Sequence, residues 1–154
     1  MRDYESDGPG QLNLLKLCVG AEVVQDLLDW QVRQRAMRLA RGDTPEHVHV
    51  TRMWPRREAE LLGGGSLYWV FKGLILARQR IARLDRVTGD DGIERCAIVL
   101  ERDVVLTEAA PRRPFQGWRY LPRQDAPADA ALSNSREDAL PRELTLALAE
   151  FGVR

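Results

Sequence analysis

The chain has 154 residues, 44% of them hydrophobic and 30% charged, and its 23 basic and 23 acidic groups cancel. A chain of this size buries roughly two-thirds of its unfolded surface as one domain, so it needs no disulfide or metal staple. No stretch approaches the roughly 18 apolar residues of a membrane helix, and the polar opening around Asp3, Glu5 and Asp7 precedes no signal-peptide core.

Charge is unevenly spread. Residues 33–123 carry 18 basic against 11 acidic groups, whereas residues 1–32 carry 2 against 6 and residues 124–154 carry 3 against 6. A basic body between acidic ends suits a polyanion partner or an internally paired face. Cys18 and Cys96 lie far apart in apolar strand-like runs. They read as two buried thiols of a cytoplasmic protein.

Residues 1–11 read as a frayed leader, because Asp7-Gly8-Pro9-Gly10 offers turn chemistry and nothing to bury. Residues 12–19 form a first strand ending at Gly20. Residues 21–41 then turn helical, with Val23, Val24, Leu27, Leu28, Trp30 and Met37 within half the circumference. Acidic Glu22, Asp26 and Asp29 precede Arg33, Arg35, Arg38 and Arg41, an order that matches the helix dipole.

Residues 47–53 alternate as a strand that puts His47, His49, Thr51 and Met53 on one face. The histidine pair could share a metal, but no third ligand arrives at recognisable spacing, so neither metal nor cofactor is expected. Residues 54–62 read as a short helix with Pro55 in its first turn. The glycine triplet at 63–65 lacks a Gly-Lys-Ser/Thr ending and leads into a strand, so it is a permissive turn rather than a phosphate loop.

Residues 66–72 are the most aromatic strand, with Leu67, Trp69 and Phe71 on one side and Tyr68, Val70 and Lys72 on the other. Gly73 marks a bend. Residues 74–87 fit both helical and strand spacing; the turn chemistry of Thr88-Gly89-Asp90-Asp91-Gly92 favours a hairpin into residues 93–100. Residues 104–107 add a strand. Prolines 111, 114 and 122 hold the next segment extended and out of a central ladder. Residues 123–137 are loop-like, and residues 138–154 open as a docking helix with Leu144, Leu148 and Phe151.

Two segments concentrate the chemistry. Arg112, Arg113, Phe115, Trp118, Arg119 and Tyr120 interleave guanidinium groups with aromatic rings, and Lys72, Arg78 and Arg80 follow the glycine triplet. Guanidinium groups grip phosphates and an exposed ring stacks a base. In the alternative, Phe115 and Trp118 plug the fold while the arginines pair with carboxylates such as Glu58, Glu60 and Glu101. An enzyme would need His47 or His49 beside a carboxylate such as Asp90, Asp91 or Glu94, and Ser66 lacks a nucleophile elbow. No catalytic motif stands out. A third alternative is a protein-interaction module using the terminal helix.

Thr51-Arg52-Met53-Trp54-Pro55, the run from Gly64 to Gly73, Ala77-Arg78-Gln79 and the run from Pro111 to Leu121 together resemble an uncharacterised bacterial family. It is catalogued as domain of unknown function 1489, and the label implies no activity. The order of elements is more loosely similar to PUA-like barrels, including the ASCH and EVE domains, which implies a cleft for RNA or a modified base. The expectation is thus an α+β fold over residues 12–122: a small bent, mixed or antiparallel β-barrel of PUA-like type, with one long helix in the N-terminal half and a short one at the C-terminus. It would bind RNA or a modified base in single-stranded nucleic acid. Arg52, Lys72, Arg78, Arg80, Arg112, Arg113 and Arg119 would face phosphates, with Trp118 or Tyr120 stacking a base.

Overall fold

Strand propensity dominates the middle of the chain, and the computed structural model, which describes residues 9–130, builds a bent seven-stranded sheet there. In chain order its strands are β1 (Leu12–Leu17), β2 (His47–Thr51), β3 (Ser66–Phe71), β4 (Leu74–Thr88), β5 (Glu94–Leu100), β6 (Val105–Pro111) and β7 (Trp118–Pro122). Helix α1 (Val24–Ala40) joins β1 to β2, and the one-turn α2 (Glu58–Leu61) joins β2 to β3. The expected terminal helix at 138–154 lies outside the described residues. Among the described residues no helix is long and apolar enough to cross a membrane.

The sheet order is β2-β5-β4-β3-β1-β7, with β6 also paired to β4. Strand β4 organises it: its first half takes β3 and β6 on either side, and its second half takes β5. Among the described strands only β1 and β3 run parallel. The ambiguous 74–87 segment is therefore strand throughout. A register shift between Ile75 and Ala77 turns Ile75 to one face and Ala77 to the other.

Among the described residues the expected barrel does not close, because β2 and β7 end the sheet without pairing. Segment 52–57 straps that gap instead. Trp118 donates its indole N–H to the Met53 carbonyl at 3.0 Å, and the Arg57 amide donates to the Tyr120 hydroxyl at 3.1 Å.

Alternation along β3 divides the core as its sequence predicts. Leu67, Trp69 and Phe71 join Leu12, Leu14, Ile98 and Trp118 on the inner face, while Tyr68 and Val70 join Leu15, Ile75 and Leu121 on the outer one. Lys72 leaves the strand. With φ of 48° it forms a two-residue turn with Gly73 at φ of 83°, the positive-φ pair a tight hairpin requires. Gly64 takes φ of 107°, and a Cβ on Gly65 would sit 2.4 Å from the Leu12 carbonyl oxygen and 2.5 Å from that of Leu61. The triplet is thus both turn and close crossing of β1 under α2.

Helix α1 departs from expectation in its chemistry more than its direction. The predicted apolar arc does face the sheet, but only Leu27 and Gln31 are buried, and Trp30 and Met37 stay at the rim, 40% and 61% exposed. Gln31, Gln34, Arg35 and Arg38 occupy the middle of that arc. They hydrogen-bond to Gln79, to the Val48 carbonyl, to His47 and to the Thr44 carbonyl. The helix is docked by polar side chains. Its entry is fixed by Asp26, whose carboxylate accepts from the Glu22 and Val23 amides at 2.9 and 3.2 Å.

Candidate nucleic-acid interface

The basic-aromatic segment meets the Lys72 corner at one point. Pro111 pairs with Leu74, and the Arg112 amide donates to the Gly73 carbonyl at 2.8 Å, which seats Arg112 beside the Lys72–Gly73 turn. Arg112 then donates through its guanidinium to the Pro111 and Asp125 carbonyls, and Arg119 to those of Gln116 and Trp118. Arg119 also lies over the Phe115 ring, 5.5 Å from its centroid. These partners are neutral, so the guanidinium charges are not cancelled. Arg52 and Arg113 are exposed.

Two of the expected phosphate ligands are placed elsewhere. Arg78 is 3% exposed, donates to both Asp129 oxygens at 2.7 and 2.8 Å and to the Ser66 hydroxyl, and faces the outer side of the sheet. It is a structural ion pair, because a buried guanidinium without a carboxylate would be prohibitively costly. Arg80 lies on that same side, partly buried, with its Nε unpartnered. Trp118 is 9% exposed and packs into the inner core, edge-on to Tyr120 at 4.9 Å. Of the two roles weighed for Trp118, burial leaves the plug; Tyr120 is half-buried beneath the Arg57 guanidinium.

The space a ligand could enter lies a few residues away. A cavity of about 610 Å³ opens between the first turns of α1, the 17–22 loop and the inner face of the sheet. Trp30, His49 and Trp69 give it aromatic walls, and Leu17 and Leu27 add apolar surface. The His49 ring stands edge-on to Trp69 at 5.8 Å. Glu22, at the cavity wall, pairs with Lys72 at 3.3 Å, which places the Lys72 corner at the cavity mouth. Arg33 stands on the helical side. Its carboxylates are occupied: Asp26 by backbone amides, Asp29 by Gln25, and Glu22 by Lys72.

Beneath the wall runs a hydrogen-bonded chain. Gln79 exchanges amide hydrogen bonds with Gln31 at 2.7 and 3.2 Å, accepts from the Trp69 indole at 3.0 Å and donates to the Glu101 carbonyl at 3.1 Å. That uses both its N–H groups and both lone pairs, fixing the plane of Trp69 and therefore the cavity wall.

His47, His49, Cys18 and Asp91 have the following surroundings among the described residues. His47 Nε2 lies 2.7 Å from the Arg35 guanidinium, so a cation stands where a carboxylate or a metal would be required. Burial, with Arg35 and Arg102 nearby, lowers the His47 pKa to about 4; burial, with Lys16 nearby, does the same for His49. Burial raises the Cys18 thiol to about 11, which keeps it protonated and poorly nucleophilic. Asp91 sits in its turn, accepting from the Ile93 amide and from Arg95.

Residues 14–154 match a protein family described as "Protein of unknown function (DUF1489)". The chain belongs to the DUF1489 family. No curated protein and no solved structure matches it. Within this member of the family, the sequence signals that mark the arginine-rich segment miss the cavity, whose walls come from β1, α1, β2 and β3.

The neutral histidines have a measurable consequence. Their pKa values lie below the unfolded value of about 6.5, so the unfolded state takes up protons first as pH falls. Stability is complete above about pH 6.5 and is lost progressively toward pH 4. Allowing for partial solvent screening, the pair should cost roughly 2 kcal/mol between pH 7.5 and 5. Urea unfolding at both values checks this. A His47→Gln, His49→Gln variant should lose most of that drop, and an unchanged drop would assign it to carboxylates.

Proposed function

We propose that this protein binds single-stranded nucleic acid, RNA foremost, by taking one base into the cavity between α1 and the sheet. Lys72, Arg112 and Arg113 contact the flanking phosphates, with Arg52 and Arg119 extending the basic surface on either side. The observation that carries this reading is the coincidence of an aromatic-walled cavity, about 610 Å³, with the Lys72 corner at its mouth. That volume lies in the range of small-ligand sites, and a base stacked on a ring contributes about 1–3 kcal/mol. On this reading Trp30 takes over the stacking role that Trp118 and Tyr120 hold in the sequence, with Trp69 as the buried floor behind it, and Arg78 and Arg80 serve the scaffold. We also read the bent sheet, strapped between β2 and β7, as a PUA-like barrel lacking its closing ladder, in a cytoplasmic protein with two free thiols.

Fluorescence anisotropy with labelled RNA octamers tests the reading. Three phosphate contacts predict that affinity falls about 20-fold between 50 and 200 mM salt. Trp30→Ala should weaken binding about tenfold at unchanged melting temperature, because that ring is a rim residue of the helix. No binding at low salt, or binding indifferent to salt, would sink the proposal.

A further inference from the structure

The charges on the cavity wall are opposite in sign to those at its mouth. Lys72 and Arg112 make the corner outside basic, whereas the lining holds three carboxylates, Glu22, Asp26 and Asp29, against one guanidinium, Arg33. His49 adds no charge, because burial keeps it neutral. With Lys72 set against Glu22 and Arg33 against one aspartate, one negative charge is left over. Each carboxylate is held through a single oxygen. Asp26 Oδ2 accepts from two backbone amides, Asp29 Oδ1 accepts from Gln25, and Glu22 Oε2 meets Lys72. The second oxygen of each accepts nothing from the described residues, so the wall is rich in unused acceptors. Trp30 adds an accessible ring, 40% exposed, with Trp69 buried behind it.

Resting on the base-binding reading above, we infer that the cavity takes a positively charged base, one methylated at a ring nitrogen as in N1-methyladenine or N3-methylcytosine. The face of an indole attracts a cation, which strengthens binding roughly 2- to 30-fold depending on desolvation. An ion pair with an exposed carboxylate adds up to about fivefold. Ring methylation also removes the acceptor from the pairing edge of the base. It leaves an amino group that only donates, which suits a wall of carboxylate oxygens. The phosphates stay outside, at Lys72 and Arg112. Such a nucleotide is a zwitterion, and its two charges match the two sides of the cavity mouth. A neutral base gains nothing from the carboxylates and leaves their charge facing an aromatic chamber.

The test uses labelled octamers of abasic sugar-phosphate carrying one central adenine, N1-methyladenine or N6-methyladenine, titrated into the full chain at neutral pH and low salt. The two methylated bases are isomers, alike in size, and only the first is a cation. The expected result is about tenfold tighter binding of N1-methyladenine than of either other base. In Asp29→Asn, which keeps the oxygen that accepts from Gln25 and removes the charge, that ratio should fall roughly two- to fivefold. Equal affinity for the two isomers, tighter binding of the neutral one, or a ratio unchanged in Asp29→Asn overturns the inference while leaving base binding intact. Failure of all three octamers to bind overturns the base-binding reading as well. If Asp29→Asn does not fold, the isomer ratio of the unaltered protein alone decides, since a chain indifferent to the charge of the base has no cation site.

Discussion

Gln79→Leu should destabilise the protein by roughly 3–5 kcal/mol, measured by urea unfolding at pH 7.5. The leucine removes four hydrogen bonds at once and orphans the Gln31 amide and the Trp69 indole N–H. A buried donor or acceptor stripped of its partner costs about 1–3 kcal/mol, more than the bond itself contributed. That asymmetry provides an internal control. Gln31→Leu combined with Gln79→Leu removes both amides together and should recover part of the loss, because fewer polar groups remain unpaired. The coupling between the two sites is therefore expected to be large. A loss under 1 kcal/mol for Gln79→Leu would mean that the amide pair does not hold α1 to the sheet.

Trp118→Ala should cost about 4 kcal/mol, as large-to-small changes of a buried indole generally do. The ring is 9% exposed, it supports Tyr120 edge-on, and its N–H is the partner of the Met53 carbonyl across the open side of the sheet. Losing it loosens the strap as well as the core. Trp118→Phe should cost only about 1–2 kcal/mol, since it keeps most of the apolar volume and gives up the hydrogen bond. Trp118 is not a cavity-wall residue, so oligonucleotide affinity of the folded Phe variant should stay within about twofold of the original. A folded Trp118 variant that loses binding would return the ring to the interface.

These two residues also mark where reading the chain works and where it stops. Strand β3 announces itself, because alternation of Leu67, Trp69 and Phe71 against Tyr68 and Val70 is a local property of a pleated strand. The bend at Gly73 and the hairpin after Thr88 are legible from local turn chemistry, whereas Lys72 reads as the end of the strand and lies in the turn instead. Helix α1 was legible as a helix, yet its docking surface was not: Gln31 counts as polar until Gln79, 48 positions away, is known to receive it. Arg78 has the same character, because its carboxylate lies 51 positions downstream. Its alternation with Arg80 reads as a basic face when charge alone is counted, whereas burial converts one of the two into an internal pair. Trp118 is undecided by composition, since an indole between arginines suits a plug and a stacking platform equally. The cavity left no signature, because no short motif records walls drawn from four elements.

The position of β1 bears on how the molecule is made. This strand is the first in the chain, yet it lies between β3 and β7, and its Asn13 amide binds the Leu121 carbonyl 108 positions away. Closing a loop of that length costs about 2 kcal/mol more chain entropy than closing a ten-residue hairpin. The β3–β4 and β4–β5 hairpins have no such handicap and can form while the chain is still leaving the ribosome. Seating β1 completes the inner face, and its outer ladder requires residues 118–122. Synthesis must therefore run almost to the end of the described chain before the N-terminal strand has both of its neighbours.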